Sequence, residues 1–287
     1  MTVELEQKFH KLQQILREKQ RVAIAFSGGV DSSFLLWTAH QTLGENACAI
    51  TILGDMVSDE EAAEAREFTA AYGIPHQILP VDICALESFA NNPSDRCYHC
   101  KKYLFAKLLE QAEQQGMVVA EGSNLDDLGD YRPGRKALSE LSILSPMLEA
   151  GLTKEEIRAL SHFFGLPTWN KPSCACLASR VPYETRITPE ILQKVSAAER
   201  VLHPFGISGV RVRYHEEIAR IECGVQDFEM IFAHREEIDR AIKACGFRYV
   251  TVDLEPYRTG RLNDFLPDAK KEKSVDKPFL FRYNRRR

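Results

Sequence analysis

The run Ser27-Gly28-Gly29-Val30-Asp31-Ser32 near the N-terminus combines glycine, hydroxyl and carboxylate in an order that suits polyphosphate. The paired glycines let backbone N–H groups approach anionic oxygens with no Cβ in the way. Ser27 and Ser32 add hydroxyl donors, and Asp31 can hold Mg²⁺ against the phosphates. A Walker A loop ends in Gly-Lys-Ser/Thr, and that ending is missing from this run. The residues therefore predict phosphate binding without the equipment for γ-phosphoryl transfer.

Cysteines form the second chemical group. Cys97-Tyr98-His99-Cys100 opens a predicted helix, and Cys174-Ala175-Cys176 falls in an irregular stretch. Thiols at a helix N-terminus ionise more readily, and the thiolate is the form that binds metals and attacks electrophiles. Two such pairs could close a zinc site made of four thiolates, three of the thiols could hold an iron–sulfur cluster with one iron left open, and a lone pair could be redox-active. Spacing alone does not choose among these. Cys48, Cys84, Cys223 and Cys245 lie within apolar strand or helix runs and read as small buried hydrophobes.

The elements that must position these groups follow from periodicity. Apolar runs of strand length at Arg21–Phe26, Ala47–Leu53, His76–Val81 and Met117–Glu121 alternate with helical runs at Ser32–Leu43, Ser58–Tyr72, Cys97–Gln115 and Thr153–Phe164. That alternation predicts a doubly wound α/β domain on a parallel sheet. Ser58 with Glu61, and Thr153 with Glu156, have capping-box spacing. In an open sheet of this kind ligands bind at the carboxyl ends of strands. Thr51 and Asp55 lie at one such end and Glu121-Gly122-Ser123-Asn124 at another, so adenine and ribose contacts are expected from backbone near Thr51 and Gly122.

Thr188-Pro189-Glu190 supplies an N-cap, an N1 proline and an acidic first turn, which marks a second unit. It reads as helix Pro189–Leu202, a strand pair within Gly209–Cys223, helix Gln226–Cys245 and strand Arg248–Leu254, a smaller C-terminal α+β domain. The predicted division is 1–185, 186–264 and a basic tail, 265–287. Arg211 and Arg213 stand two apart on a strand and share a face, with Arg258 and Arg261 after the last strand. Guanidinium forks of this kind suit a phosphate.

The 287 residues, 44% of them hydrophobic, are enough for such cores, and a net charge of −4 gives no global basic field for nucleic acid. No apolar run reaches bilayer-spanning length, and the eight cysteines come without a secretion signal. A cytoplasmic protein without a disulfide framework is expected.

The first run resembles the PP-loop of the ATP pyrophosphatase superfamily, whose members cleave ATP between the α- and β-phosphates. A longer set of motifs is more specific. Ala25–Ser32, Asp95–Lys102, Asp130-Tyr131-Arg132-Pro133-Gly134-Arg135, Trp169-Asn170-Lys171, Cys176–Tyr183, Arg211-Val212-Arg213 and Tyr257-Arg258-Thr259-Gly260-Arg261 together resemble the ATP-dependent sulfur transferases that make the nickel-pincer nucleotide cofactor. The resemblance spans nearly the whole chain. It implies ATP-dependent adenylylation, with Mg²⁺, of a carboxylate on a pyridinium dicarboxylate mononucleotide, then conversion to the thiocarboxylate.

That family has a form that sacrifices one cysteine sulfur and a form in which three cysteines hold a four-iron, four-sulfur (4Fe-4S) cluster. Cys97 and Cys100 are absent from the first form, so the resemblance implies the second, with Cys97, Cys100 and Cys176 as ligands. Cys174 departs from the pattern and is an alternative ligand or donor. The resemblance further implies Asp31, Cys176 and Glu199 as catalytic residues, Glu199 as a base. Ser27, Gly28, Gly29, Asp31, Ser32, Thr51 and Gly122 would bind ATP, and Arg211 and Arg258 the substrate phosphate. It implies a homo-oligomer and leaves the sulfide source open. A tRNA-thiolating or amidating enzyme of the same superfamily is less favoured, because no RNA-binding or glutaminase segment is evident. The contrasting class is a zinc-stapled, non-catalytic nucleotide-binding protein.

Overall fold

The computed structural model describes residues 1–129, 133–172, 176–207, 209–258 and 260–265. Cys174, the Asp130-Tyr131-Arg132 part of one motif and nearly all of the expected basic tail lie outside the described residues.

In chain order the first unit comprises α1 (Val3–Lys19), β1 (Val22–Ala25), α2 (Val30–Leu43), β2 (Ala47–Leu53), α3 (Asp59–Ala71), β3 (His76–Pro80), α4 (Glu87–Ala90), α5 (Arg96–Glu113), β4 (Val118–Ala120), α6 (Gly134–Glu140), α7 (Pro146–Ala150) and α8 (Lys154–Phe163). The strands form a parallel sheet in the order β3-β2-β1-β4. Successive strand side chains point to opposite faces, and the apolar residues obey this. Val22 and Ile24 of β1 and Ala47 and Ala49 of β2 pack with α1, α2, α3, α7 and α8. Ala23, Cys48 and Ile50 pack on the other face with α5 and α6. Helices on both faces of a parallel sheet make the expected α/β fold.

Both anticipated capping boxes are present, Ser58 with Glu61 and Thr153 with Glu156. The polar N-terminal segment is a helix whose Phe9, Leu12 and Leu16 enter the main core, so truncating Leu12 to alanine should cost about 2–5 kcal/mol.

The C-terminal unit contains α9 (Pro189–Leu202), β5 (Arg211–His215), β6 (Ile218–Glu222), α10 (Phe228–Ala233), α11 (Arg235–Ala244) and β7 (Tyr249–Val252), with sheet order β5-β6-β7. The single helix expected over Gln226–Cys245 is two helices that meet at His234, preceded by a 3₁₀ turn at Val225–Asp227. Glu236 and Glu237 sit in the first turn of α11, where carboxylates favour a helix start. The core beneath these elements also takes in Ile83, Phe89, Leu177 and Val181, so part of it is supplied from before the expected boundary at residue 185.

Candidate active site

β1 is flanked by β2 on one side and β4 on the other, so the connections leaving β1 and leaving β4 diverge at the carboxyl end of the sheet. Such a divergence opens a crevice, and the Ser27–Ser32 loop and Glu121–Asn124 face each other across it. Gly28 has φ +69°, a conformation that favours glycine, and Gly29 is the extended N-cap of α2. No side chain caps this helix, so its first-turn N–H groups remain for an anion. Within the loop Ser27 Oγ and Ser32 Oγ are 3.1 Å apart, and Ser32 Oγ donates to Gly29 O at 3.2 Å.

Gly122 lies against this turn: a Cβ there would stand 3.1 Å from Ser32 N and 3.2 Å from Asp31 Cβ. Asn124 Nδ2 donates to Asp31 Oδ1 at 3.3 Å, and Lys154, the first residue of α8, forms an ion pair with Asp31 Oδ2. Lys171, from the Trp169-Asn170-Lys171 motif, donates to Gly28 O at 3.0 Å and pairs with Glu64 of α3. Arg158 of α8 fixes that motif by donating to Trp169 O and Lys171 O, each at 2.7 Å. Lys154 is a site residue the sequence reading did not single out, whereas Asn124 and Lys171 were named there within their motifs but given no role of their own. Thr51 is buried, donating to Phe26 O at 2.9 Å with His76 Nε2 at 2.8 Å, so its hydroxyl braces β1 against β2. Burial holds the His76 imidazole below its ordinary value, with Arg66 adding to the effect.

The cysteines lie near the loop that follows β2. Cys97 and Cys100 lie in the first turns of α5, whose start has no side-chain cap, and Cys100 Sγ is 3.9 Å from Met56 Sδ in the loop after β2. Cys97 and Cys176 are exposed and Cys100 is partly so. Burial raises the Cys100 pKa, and the neighbouring Cys176 and Cys97 raise it further, which places the three sulfurs within electrostatic reach of one another. Cys176 remains accessible to water at a surface otherwise crowded by protein; that crowding raises its pKa, while the Ala178 N–H and Arg96 oppose the rise. Cys84, expected only as a core residue, is near enough that Cys176 contributes to its pKa of about 11, after burial and the carboxylates of Asp55 and Asp82.

Among the described residues no ready-made cluster of metal ligands is closed around a point. The donor set nevertheless fits a cationic group. Like-charged thiolates raise one another's pKa, and a shared cation removes that penalty while thiolates are its preferred ligands. For Mg²⁺ the fit is similar, since Asp31 already carries one positive partner in Lys154.

Cys176 begins a 3₁₀ turn, Leu177–Arg180, that ties the sulfur loop to the C-terminal unit. Arg180 Nη1 donates to Cys176 O at 3.1 Å, and its Nε and Nη2 reach Glu199 at 2.8 and 2.9 Å. Glu199 also accepts from Val212 N at 2.9 Å. Arg213 donates to Ser179 O at 2.7 Å and to the fully buried Glu222. Arg211 and Arg213, expected to share a face suited to a phosphate, are buried; the Arg211 guanidinium lies 5.1 Å from the Tyr257 ring centre. Arg220 and Arg261 join them through Glu222 and Asp253. Arg258 meets the edge of this group through Glu255, which also pairs with Arg261. The exposed Arg258 guanidinium pairs with Glu255 and Asp264.

Comparison with known sequences adds to this geometry. A PP-loop domain matches residues 1–169. An uncharacterized protein of Synechocystis, slr1717, is 40% identical over 91% of this chain and 99% of its own length. The pyridinium-3,5-bisthiocarboxylic acid mononucleotide synthase of Lactiplantibacillus plantarum is 37% identical over 88% of this chain and 93% of its own. More distantly, a tRNA-specific 2-thiouridylase of Rickettsia felis is 27% identical over 73% of the chain and 67% of its own. No described helix is long and apolar enough to cross a membrane.

Proposed function

We propose, from the premise that this chain belongs to the PP-loop family and to that of the pyridinium-3,5-bisthiocarboxylic acid mononucleotide synthase, that it is an ATP-dependent sulfur transferase acting on a pyridinium carboxylate mononucleotide. The observation that carries the reading is the glycine-lined, uncapped start of α2, and it is supported by Cys97 and Cys100 on the first turns of α5, where Cys100 meets Met56 from the loop after β2.

The first half-reaction follows from the crevice. The uncapped N–H groups of α2, with Ser27 and Ser32, receive the phosphates, and Asp31 holds Mg²⁺ against them. Lys154 and Lys171 bring positive charge to the same loop. The substrate carboxylate attacks the α-phosphorus, the bond to the bridging oxygen breaks and pyrophosphate leaves. In the second half-reaction a sulfur nucleophile adds to the acyl carbon and AMP departs with the former carboxylate oxygen, leaving the thiocarboxylate. Arg211 and Arg258 would orient the mononucleotide phosphate, Arg213 being committed to Glu222 and Ser179 O, and Arg180 with Glu199 holds the Cys176 loop against β5.

Cys97, Cys100 and Cys176 would hold a 4Fe-4S cluster. When bound, such a group leaves one iron without a protein ligand, a position that accepts sulfide. The competing source is the sulfur of Cys176 or of Cys174 itself, for which the exposure of Cys176 is the supporting observation.

The test is iron, zinc and acid-labile sulfide analysis of protein purified without oxygen, beside its Cys97→Ala variant. Iron and sulfide present in the first and lost in the second support the cluster. With pyrophosphate release intact, zinc overturns it in favour of a structural zinc site, and no metal overturns it in favour of a sacrificial cysteine.

A further inference from the structure

Asn92 occupies an unusual position between the two cysteine-bearing segments. It lies in the loop just before α5, is fully buried, and has φ +54°, a left-handed conformation that asparagine tolerates better than most residues. Its side-chain nitrogen lies 2.6 Å from Pro182 O, 3.0 Å from Thr185 O and 3.4 Å from Val181 O. Its backbone carbonyl accepts from Glu184 N at 3.0 Å, and the carbonyl of Ala90 accepts from Ile187 N at 2.7 Å. The segment following the Cys176 turn is thus wrapped around one amide. On its other side Asn92 Oδ1 accepts from Arg96, the residue before Cys97, whose guanidinium also stands 4.9 Å from the Tyr183 ring centre.

These contacts join the start of α5 to the far end of the Cys176 loop across almost ninety residues of sequence. Nothing in the ATP crevice needs them. A buried amide satisfied on both sides by two different segments fixes their separation, because moving either one leaves a polar group unpaired at about 1–3 kcal/mol.

We propose that Asn92 is a positioning residue that sets the distance between the Cys97–Cys100 turn and Cys176, acting through Arg96 on one side and through Val181–Ile187 on the other. The inference rests on reading those three thiols as one ligand set, but it concerns their geometry and can be tested without any metal.

The experiment uses metal-free full-length protein in a Cys174→Ala background and measures how fast a short bis-maleimide bridges Cys97 to Cys176, read by peptide mass spectrometry. Anaerobic iron uptake is measured in parallel. Asn92→Gly keeps the backbone conformation accessible while removing the amide. Leu160→Ala, in the core on the other side of the sheet, serves as a control for lost stability alone. In Asn92→Gly both bridging and iron uptake should fall about tenfold or more, as when an outer partner of a metal ligand is removed. In Leu160→Ala bridging should match the wild type. Equal bridging in Asn92→Gly and wild type overturns the proposal. Slower bridging in Asn92→Gly, in a protein whose wild type takes up no iron, upholds the positioning role and removes the cluster reading instead. If Asn92→Gly does not fold, Asn92→Asp, which keeps the shape and loses the donors, is read by the same criteria.

Discussion

Arg180 grips both oxygens of Glu199, with Nε to Oε1 at 2.8 Å and Nη2 to Oε2 at 2.9 Å. Both side chains are largely buried, and Val212 N takes a further lone pair of Oε1. A carboxylate committed in this way braces the Cys176 loop against β5, which differs from the base role expected for Glu199.

Glu199→Gln should therefore act first on stability. Breaking a buried pair by neutralising one partner leaves the other charge uncompensated, at about 3–5 kcal/mol. Urea unfolding measures this. A variant as stable as the wild type but with an altered pH–rate profile would restore the role of base.

Asp31 and Lys154 make a paired prediction. Asp31→Asn should lower pyrophosphate release about a hundredfold or more, because it removes the carboxylate that holds Mg²⁺ where charge develops. Lys154→Met frees Asp31 from a competing cation, so the Mg²⁺ concentration giving half-maximal release should fall about two- to fivefold, the value of a partly exposed ion pair. An unchanged Mg²⁺ requirement would show that the two cations do not share the carboxylate.

Gly122→Ala tests the crevice itself. The added methyl would sit 3.1 Å from Ser32 N, over the N–H groups that receive phosphate. The KM for ATP should rise while the fold persists at a cost of about 1–3 kcal/mol, which isothermal titration with a non-hydrolysable ATP analogue and thermal melting separate.

The second unit and the sheet were legible because their signals are local. The apolar run Ala47–Leu53, the Ser58 and Thr153 capping boxes and the Thr188-Pro189-Glu190 start each lie within a few residues. The break at His234 escaped notice because apolar residues continue on both sides of it, although Glu236 and Glu237 were available as a start signal. Lys154 and Asp31 are 123 positions apart, and their meeting depends on where the β1–β4 crevice opens, which no local pattern encodes. The buried ion pair of Arg213 was illegible for the same reason: its partner Glu222 is on the neighbouring strand, and the β5–β6 register brings them together.

His76 gives a pH dependence. Its folded pKa lies below the unfolded value of 6.5, so between the two the unfolded chain binds more protons than the folded one. Its contribution to stability is fully present above pH 6.5 and is lost as pH falls toward the folded value. Urea midpoints taken from roughly pH 7.5 to 5 should decline less steeply in His76→Gln than in the wild type. Parallel curves would remove His76 from the account.

The central claim is that this chain transfers sulfur through a resident thiolate-held group and survives the reaction intact. Its most direct test is the mass of the anaerobically prepared protein after turnover with ATP, Mg²⁺, the pyridinium carboxylate mononucleotide and excess sulfide, alongside a count of thiocarboxylate formed per chain. The account predicts an unchanged protein mass and many products per chain. A single product per chain, with the protein lighter by one H₂S at Cys176 or Cys174, would contradict it.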